Sequence, residues 1–193
     1  MSLLVSVDPG LRICGVAVFE DGALQRAMSV RSSALPGDEV DACAAMARAV
    51  CEAVCDGQDG VPGVFVVEEP QQYPGSPVPR SAIQALDRVL GALGSDLRHE
   101  ASADGHGLST HPYKPRAWKG QVPKPIMLRR ILQRLTDDEL RTAPHLISSL
   151  EAKSSIHHHA IDAVGVALHH LGRLRAARGG GAAGFGVDKG ERT

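Results

Sequence analysis

The sequence predicts an α/β fold, in which a mixed five-stranded sheet of three antiparallel strands followed by parallel strands carries helices on both faces. Three strand-like segments at 3–8, 13–19 and 23–31 open the chain, and the pair Asp21-Gly22 indicates a tight hairpin between the second and third. Helical and strand-like segments then alternate. Because strand–helix–strand connections are right-handed and join parallel strands, this order predicts the mixed sheet.

The later elements follow from their apolar patterns. An apolar stripe at helical spacing predicts a helix at 38–56 with Asp38 as its N-cap. Val40 belongs to this stripe and is therefore expected to face the core. A short apolar run at 63–68 predicts a buried strand that stops before Pro70. The remaining predicted elements are a helix at 81–98, a weaker strand at 107–113, a loop before 124, and helices at 124–135 and 156–175.

Two of the apolar strands, 3–8 and 63–68, end on a carboxylate. We expect these strands to be parallel neighbours, so that Asp8 and Glu68 meet at the sheet edge where open α/β sheets bind ligands. Asp8 alone is explained equally well as a turn residue of Asp-Pro-Gly. Glu68 is harder to explain in that way, because a carboxylate at the end of a buried strand costs desolvation energy unless a positive charge meets it.

The segment HHHAIDAVGVALHHLGRL at 157–174 adds two candidate ligands. As a helix it places His159 and Asp162 three residues apart on neighbouring positions of one face. Together with Asp8 and Glu68 they make three carboxylates and one imidazole, which suit Mg²⁺ or Mn²⁺. Such ions can position a water and stabilise the leaving oxygen of a phosphodiester.

Three segments, SVDPGLRICGVAV, FVVEEP and HHHAIDAVGVALHHLGR, resemble the RuvC-type Holliday junction resolvases of the RNase H-like superfamily. In that family the first strand ends in Asp-Pro-Gly, the fourth ends in Glu, and the last helix carries Asp or His three residues before an Asp-Ala. The resemblance implies two Mg²⁺ or Mn²⁺ ions per active site, held by Asp8, Glu68, His159 and Asp162. It also implies a homodimer, joined through the helix at 81–98, that resolves four-way junctions in branched DNA by paired symmetric nicks.

The basic segment KPRAWKGQVPK resembles the family's loop that approaches the scissile phosphate. The resemblance implies a catalytic role for Lys124 and makes Lys119 a second candidate beside it. Lys114 and Arg116 are expected to act mainly on DNA affinity, by binding the phosphate backbone.

The loop after the fourth strand departs from the family pattern. The family's junction-probing aromatic lies three residues after the Glu, where this chain has Gln71. Tyr73 is the nearest aromatic and is therefore the candidate for a stacking contact with DNA. The surrounding Pro-Gln-Gln-Tyr-Pro segment and the Gly-rich tail resemble bacteriophage-type members more than the cellular resolvase.

Length and composition bound these interpretations. The 193 residues predict one nuclease domain at 1–176 and a Gly-rich, disordered tail at 177–193. The net charge is −1, but residues 110–193 carry 14 Lys+Arg against 7 Asp+Glu, so this half can bind a polyanion. The four cysteines form no C-x-x-C pair and are expected to be small buried hydrophobes. With no signal peptide and no membrane-spanning run, a cytoplasmic protein is expected.

Two alternatives stay open. The first is a non-catalytic nucleic-acid-binding or assembly module that keeps the same fold. The second is a fragment of an actin-like or sugar-kinase-like ATPase, since those proteins also open with Asp-x-Gly and a phosphate-binding hairpin. That interpretation needs a second domain of similar fold, for which 193 residues are too few.

Overall fold

The computed structural model describes residues 3–32, 39–56, 60–72, 75, 78–148 and 156–174. Five strands in this part of the chain form one sheet: β1 (Leu3–Asp8), β2 (Ile13–Glu20), β3 (Ala23–Arg31), β4 (Val64–Glu68) and β5 (Ser109–Tyr113). Their order across the sheet is β3-β2-β1-β4-β5. The β3-β2-β1 part is antiparallel, whereas β4 runs parallel to both β1 and β5. The predicted mixed sheet is confirmed.

The described residues form seven helices: α1 (Glu39–Cys55), α2 (Arg80–Ala103), α3 (Pro115–Trp118), α4 (Lys124–Leu132), α5 (Asp137–Thr142), α6 (His145–Ser148) and α7 (Ile156–His170). The segment before 124 is not all loop, because α3 lies in it. The helices α5 and α6 are not predicted from the sequence either, because they are too short to show apolar periodicity. A local signal for α5 exists, since Thr136 and Glu139 form a capping box at its start.

Each face of the sheet has its own apolar core, as the sequence predicts. On one face, α1 and α2 pack against alternate residues of β1, β2 and β4, among them Val5, Val16 and Phe65. On the other face, α7 and α4 cover the opposite set, among them Leu4, Ala17 and Val66. Asp8 and Glu68 alternate in step with Leu4 and Val66, so their side chains lie on the α7 face.

The hairpin between β2 and β3 is as predicted, with both turn residues, Asp21 and Gly22, at positive φ. The prediction that Val40 lies on the buried face of α1 is wrong, because this side chain is 55% exposed near the start of the helix. Met46, which lies outside the predicted apolar stripe, is fully buried from the same helix. The cysteines are free: Cys14 and Cys43 are buried, and Cys51 and Cys55 are half-buried.

Three sequence-based expectations lie outside the described residues: Asp38 as an N-cap, Tyr73 as a DNA contact, and the tail at 177–193. Within the described part of the chain, no helix is long and apolar enough to cross a membrane.

Candidate active site

Close packing of α7 against β2 brings His159 to the end of β1. Gly15 of β2 lies directly beside Asp8 across the sheet. A Cβ atom built on Gly15 would lie 1.8 Å from the carbonyl oxygen of His159, so the helix can approach this closely only because the residue is glycine. The first turns of α7 therefore lie over Asp8, and Nδ1–H of His159 donates a hydrogen bond to Oδ2 of Asp8 over 2.6 Å.

The Glu68 carboxylate ends β4, the parallel neighbour of β1, and receives two donors from α3 and the residue after it. Nε1–H of Trp118 donates to Oε2 of Glu68 over 3.0 Å. Nζ of Lys119 lies 2.9 Å from the same oxygen. A cation and an indole N–H therefore meet this partly buried carboxylate.

Asp162 lies one turn along α7 from His159 and is buried, with two lysines near it. Nζ of Lys124 lies 3.2 Å from Oδ2 of Asp162, and Nζ of Lys119 lies 3.8 Å from the same oxygen. Lys119 thus bridges Glu68 and Asp162. The Lys124 side chain is half-exposed, so its ammonium also faces solvent.

Burial and mutual repulsion perturb the acids of this cluster. Burial, reinforced by the charge of Asp8, raises the pKa of Glu68 to about 7 although Lys119 opposes the shift. Burial also raises the pKa of Asp8, with Asp162 adding to the shift and the hydrogen bond from His159 opposing it. That hydrogen bond in turn raises the pKa of His159. Asp8, Glu68 and His159 therefore all hold their protons to a higher pH than the free side chains do.

The donor set fits a hard divalent cation. Three carboxylates and one imidazole are suitable ligands for Mg²⁺ or Mn²⁺, and Lys119 already provides positive charge between two of the carboxylates. In the described residues, however, no three His, Cys, Asp or Glu side chains converge as a ready-made metal cage. Asp8 pairs with His159, and Glu68 and Asp162 pair with lysine, so a metal bound here would compete with the two lysines for these carboxylates.

The structure brings together six of the nine candidate residues of the sequence analysis: Asp8, Glu68, Lys119, Lys124, His159 and Asp162. Lys114 and Arg116 are exposed, and neither forms an ion pair with another described residue.

Sequence reasoning missed Gly15 and Trp118. Trp118 is the only tryptophan of the chain and directly precedes Lys119, which is the signal that could have drawn attention to it. Nothing in the sequence singles out Gly15, because the need for glycine there arises from the approach of a helix far along the chain.

Solved structures with the same arrangement of elements exist, although no protein-family model and no curated protein sequence matches the chain. T. thermophilus RuvC, in a complex with a Holliday junction substrate, is similar with a TM-score of 0.51 and 19% identity over 89% of this chain and 93% of that chain. The yeast mitochondrial Holliday junction resolvase Ydc2 is similar with a TM-score of 0.61 and 12% identity, over 90% of this chain and 80% of that one.

At these identities the likeness establishes the fold. The resemblance seen in the sequence is therefore confirmed at that level: this chain has the RNase H-like fold of the RuvC-type Holliday junction resolvases.

Proposed function

We propose that the protein is a metal-dependent endonuclease that hydrolyses phosphodiester bonds in branched DNA and resolves four-way junctions. One observation carries the proposal. Three carboxylates from three separate elements, Asp8, Glu68 and Asp162, converge with a histidine and two lysines at the end of the sheet. Buried acids with raised pKa values are costly to the fold, and groups of this kind cluster at functional sites.

In this proposal Asp8, Glu68, His159 and Asp162 hold Mg²⁺ or Mn²⁺, two ions per site. The metal supplies Lewis acidity and an activated water when it is bound. His159 must be neutral to serve as a ligand, and its Nε2 would then supply the lone pair while Nδ1–H keeps its hydrogen bond to Asp8. Lys124, already half in solvent beside Asp162, orients the reacting phosphate.

Branched DNA as the substrate is supported by the fold and by charge. The two similar structures are a resolvase and a RuvC bound to a Holliday junction. Lys114 and Arg116 are exposed and lie close to Lys119 in the sequence. Together the three side chains extend the positively charged surface from the acidic cluster outward. We assign Lys114 and Arg116 to the DNA backbone and keep Tyr73 as the proposed stacking contact.

Paired nicks require a homodimer, and α2 is the proposed interface. Leu93 and Leu97 of this helix are fully buried in the core of a single chain and cannot form the interface. The exposed stripe of α2 instead carries Asp87, Gly91 and Arg98 beside a cavity of about 430 Å³ between α2 and the sheet. Two copies that cross antiparallel midway between Gly91 and Gly94 would place each Asp87 opposite the Arg98 of the other copy, an isologous contact.

A non-catalytic DNA-binding module is the second candidate, and one observation favours it. The four candidate ligands are already paired with one another or with lysine, so their charges are partly neutralised without a metal. Such a protein would bind junctions through its basic half and leave them intact.

Cleavage of a four-way junction separates the two candidates. The wild-type protein is incubated with a four-way junction, a duplex and a single strand of matched sequence, with Mg²⁺, Mn²⁺ or chelator. The proposal predicts metal-dependent cutting of the junction in preference to the duplex, and linear product from a supercoiled cruciform plasmid. Binding without cutting in either metal would favour the non-catalytic module, and nicked circles alone from a monomer would exclude paired resolution.

A further inference from the structure

The only tryptophan of the chain is buried beside the candidate active site and touches one of its acids. Trp118 ends α3, and Nε1–H donates to Oε2 of Glu68 over 3.0 Å. The next residue, Lys119, places Nζ 2.9 Å from the same oxygen. Two consecutive residues thus bind one carboxylate oxygen, which leaves Oε1 of Glu68 outside both contacts.

The indole ring fits a notch in α7. A Cβ atom built on Gly165 would lie 2.5 Å from Cζ3 of Trp118 and 2.7 Å from Cδ1 of Ile131, so only glycine accommodates the ring. Gly165 lies three residues after Asp162, on the helix that also carries His159. The ring therefore connects the helix that holds two candidate ligands with the strand that ends on a third.

An indole is well suited to hold a carboxylate in one orientation. It is rigid, its single N–H is a donor only, and its ring is held here by the apolar core of the α7 face. A buried tryptophan with no functional role needs a partner for its N–H, but a backbone carbonyl serves that purpose without bringing a charge into the core. Here the partner is a carboxylate that is itself partly buried.

We propose that Trp118 is a positioning residue, which fixes the Glu68 carboxylate for metal ligation through the Nε1–H bond to Oε2 while Gly165 locks its ring. This inference rests on the proposed function, because it takes Glu68 as a metal ligand. It extends that function to a side chain which touches neither metal nor DNA. Residues that orient metal ligands in this way commonly affect metal affinity about tenfold or more.

The wild-type protein offers a direct optical test. Because the chain has one tryptophan, fluorescence excited selectively at the indole, beyond tyrosine absorption, reports on Trp118 alone. Titration with Mn²⁺, a paramagnetic quencher, is expected to quench this fluorescence with a saturable dependence, and Glu68→Gln is expected to remove the saturable part. Calorimetric Mn²⁺ binding with no change in fluorescence would overturn the inference.

Trp118→Phe then separates positioning from packing. Phenylalanine keeps an aromatic ring in the notch but removes the N–H, so Mn²⁺ affinity measured by calorimetry should fall about tenfold. The kcat of cleavage should fall, while the KM for DNA should stay unchanged. Ile131→Val is the matched control, because it alters the same notch without touching Glu68, and it should lower the unfolding midpoint while Mn²⁺ affinity stays the same.

The outcomes distinguish this inference from the proposed function. If the wild type binds Mn²⁺ and cuts junctions, but Trp118→Phe binds Mn²⁺ as tightly as the wild type, the positioning role is overturned and the function stands. If Mn²⁺ binds and Trp118→Phe weakens it, but no junction is cut, the positioning role stands and the nuclease function fails. If the wild type binds no Mn²⁺, both are overturned.

Discussion

Two buried acidic centres lie near the two ends of α7, and they are built in opposite ways. The first is Glu139 of α5, which accepts four hydrogen bonds over 2.7–2.8 Å: two from Arg173, one from the backbone N–H of Leu24 and one from that of Thr136. Although burial opposes ionisation, these donors lower the pKa of Glu139 to about 2. One acid thus ties α5 to the β2–β3 hairpin and to the residues that follow α7.

The second centre, at the start of α7, brings three acids together with two lysines and a histidine. Burial raises the pKa values of both Asp8 and Glu68, and the charges of their acidic neighbours add to the shifts. Burial alone therefore does not show whether an acidic side chain stabilises the fold or serves a function. A buried acid with a full set of donors stabilises the fold, whereas buried acids that repel one another indicate a site selected for function at some cost in stability.

The largest expected effect is the loss of cleavage in Asp8→Asn. Asparagine has nearly the same shape but lacks the charge that a divalent cation needs, and metal stabilisation of a transition state is worth several kcal/mol. Junction cleavage should fall by a factor of about a hundred or more, while gel-shift affinity for the junction is retained. Equal loss of binding and cleavage would assign Asp8 a structural role instead.

Glu139→Gln should be the strongly destabilising change, because it removes a buried carboxylate that accepts four hydrogen bonds and leaves the half-buried Arg173 without its charged partner. Urea unfolding should show a loss of roughly 3 kcal/mol. The folded pKa lies below the ordinary value of 4.5, so the wild-type contribution is present above that pH and is lost as pH falls toward about 2. Asp138→Asn is the matched control: this neighbour pairs with Arg141 in solvent, and its loss should change stability by less than about 0.5 kcal/mol.

Glu68→Gln should raise the free energy of unfolding of the metal-free protein, whereas Glu139→Gln should lower it. Glu68 keeps its proton up to about pH 7 when folded but only to about 4.5 when unfolded, so wild-type stability falls as pH rises through this window. The glutamine side chain of the variant cannot ionise, so the variant should be more stable than the wild type by on the order of 2 kcal/mol at about pH 8. Comparing the two proteins isolates Glu68 from His159, whose raised pKa acts in the same direction. Equal pH profiles would contradict the unfavourable burial of Glu68.

The smallest expected effect concerns Lys119, which competes with any metal for Glu68 and Asp162. Removing its charge in Lys119→Met should tighten Mn²⁺ binding about three- to tenfold in calorimetry. Lys114→Met is the control for net charge, because Lys114 is exposed and forms no ion pair with these acids in the described part of the chain. That variant should leave Mn²⁺ affinity unchanged and lower the salt slope of DNA binding by about one unit. Weaker Mn²⁺ binding in Lys119→Met would refute the competition.

Much of the sheet and of the acidic cluster could be predicted from the sequence, because short-range patterns determine them. Alternation fixes which face each strand residue occupies, and parallel pairing of β1 with β4 brings Asp8 and Glu68 to one edge. Helical spacing places His159 beside Asp162.

What the sequence could not provide arises from contacts between distant segments. The pairing of Lys119 with Glu68 depends on α3, a four-residue helix with no periodicity to detect. Glu139 and Arg173 look like ordinary surface charges until α5 and the end of α7 meet at the β2–β3 hairpin. The apolar stripe of α2 could face either the core or a partner, and only the packing of the helix shows that Leu93 and Leu97 fill the core of a single chain.

The most direct test of the difference between the two acidic centres is Mn²⁺ binding, measured by calorimetry on the wild type, Glu68→Gln and Glu139→Gln under conditions where circular dichroism shows all three to be folded. We predict saturable binding by the wild type and by Glu139→Gln with equal affinity, and its loss in Glu68→Gln. Binding by Glu68→Gln as tight as that of the wild type, or loss of binding in Glu139→Gln alone, would contradict the account.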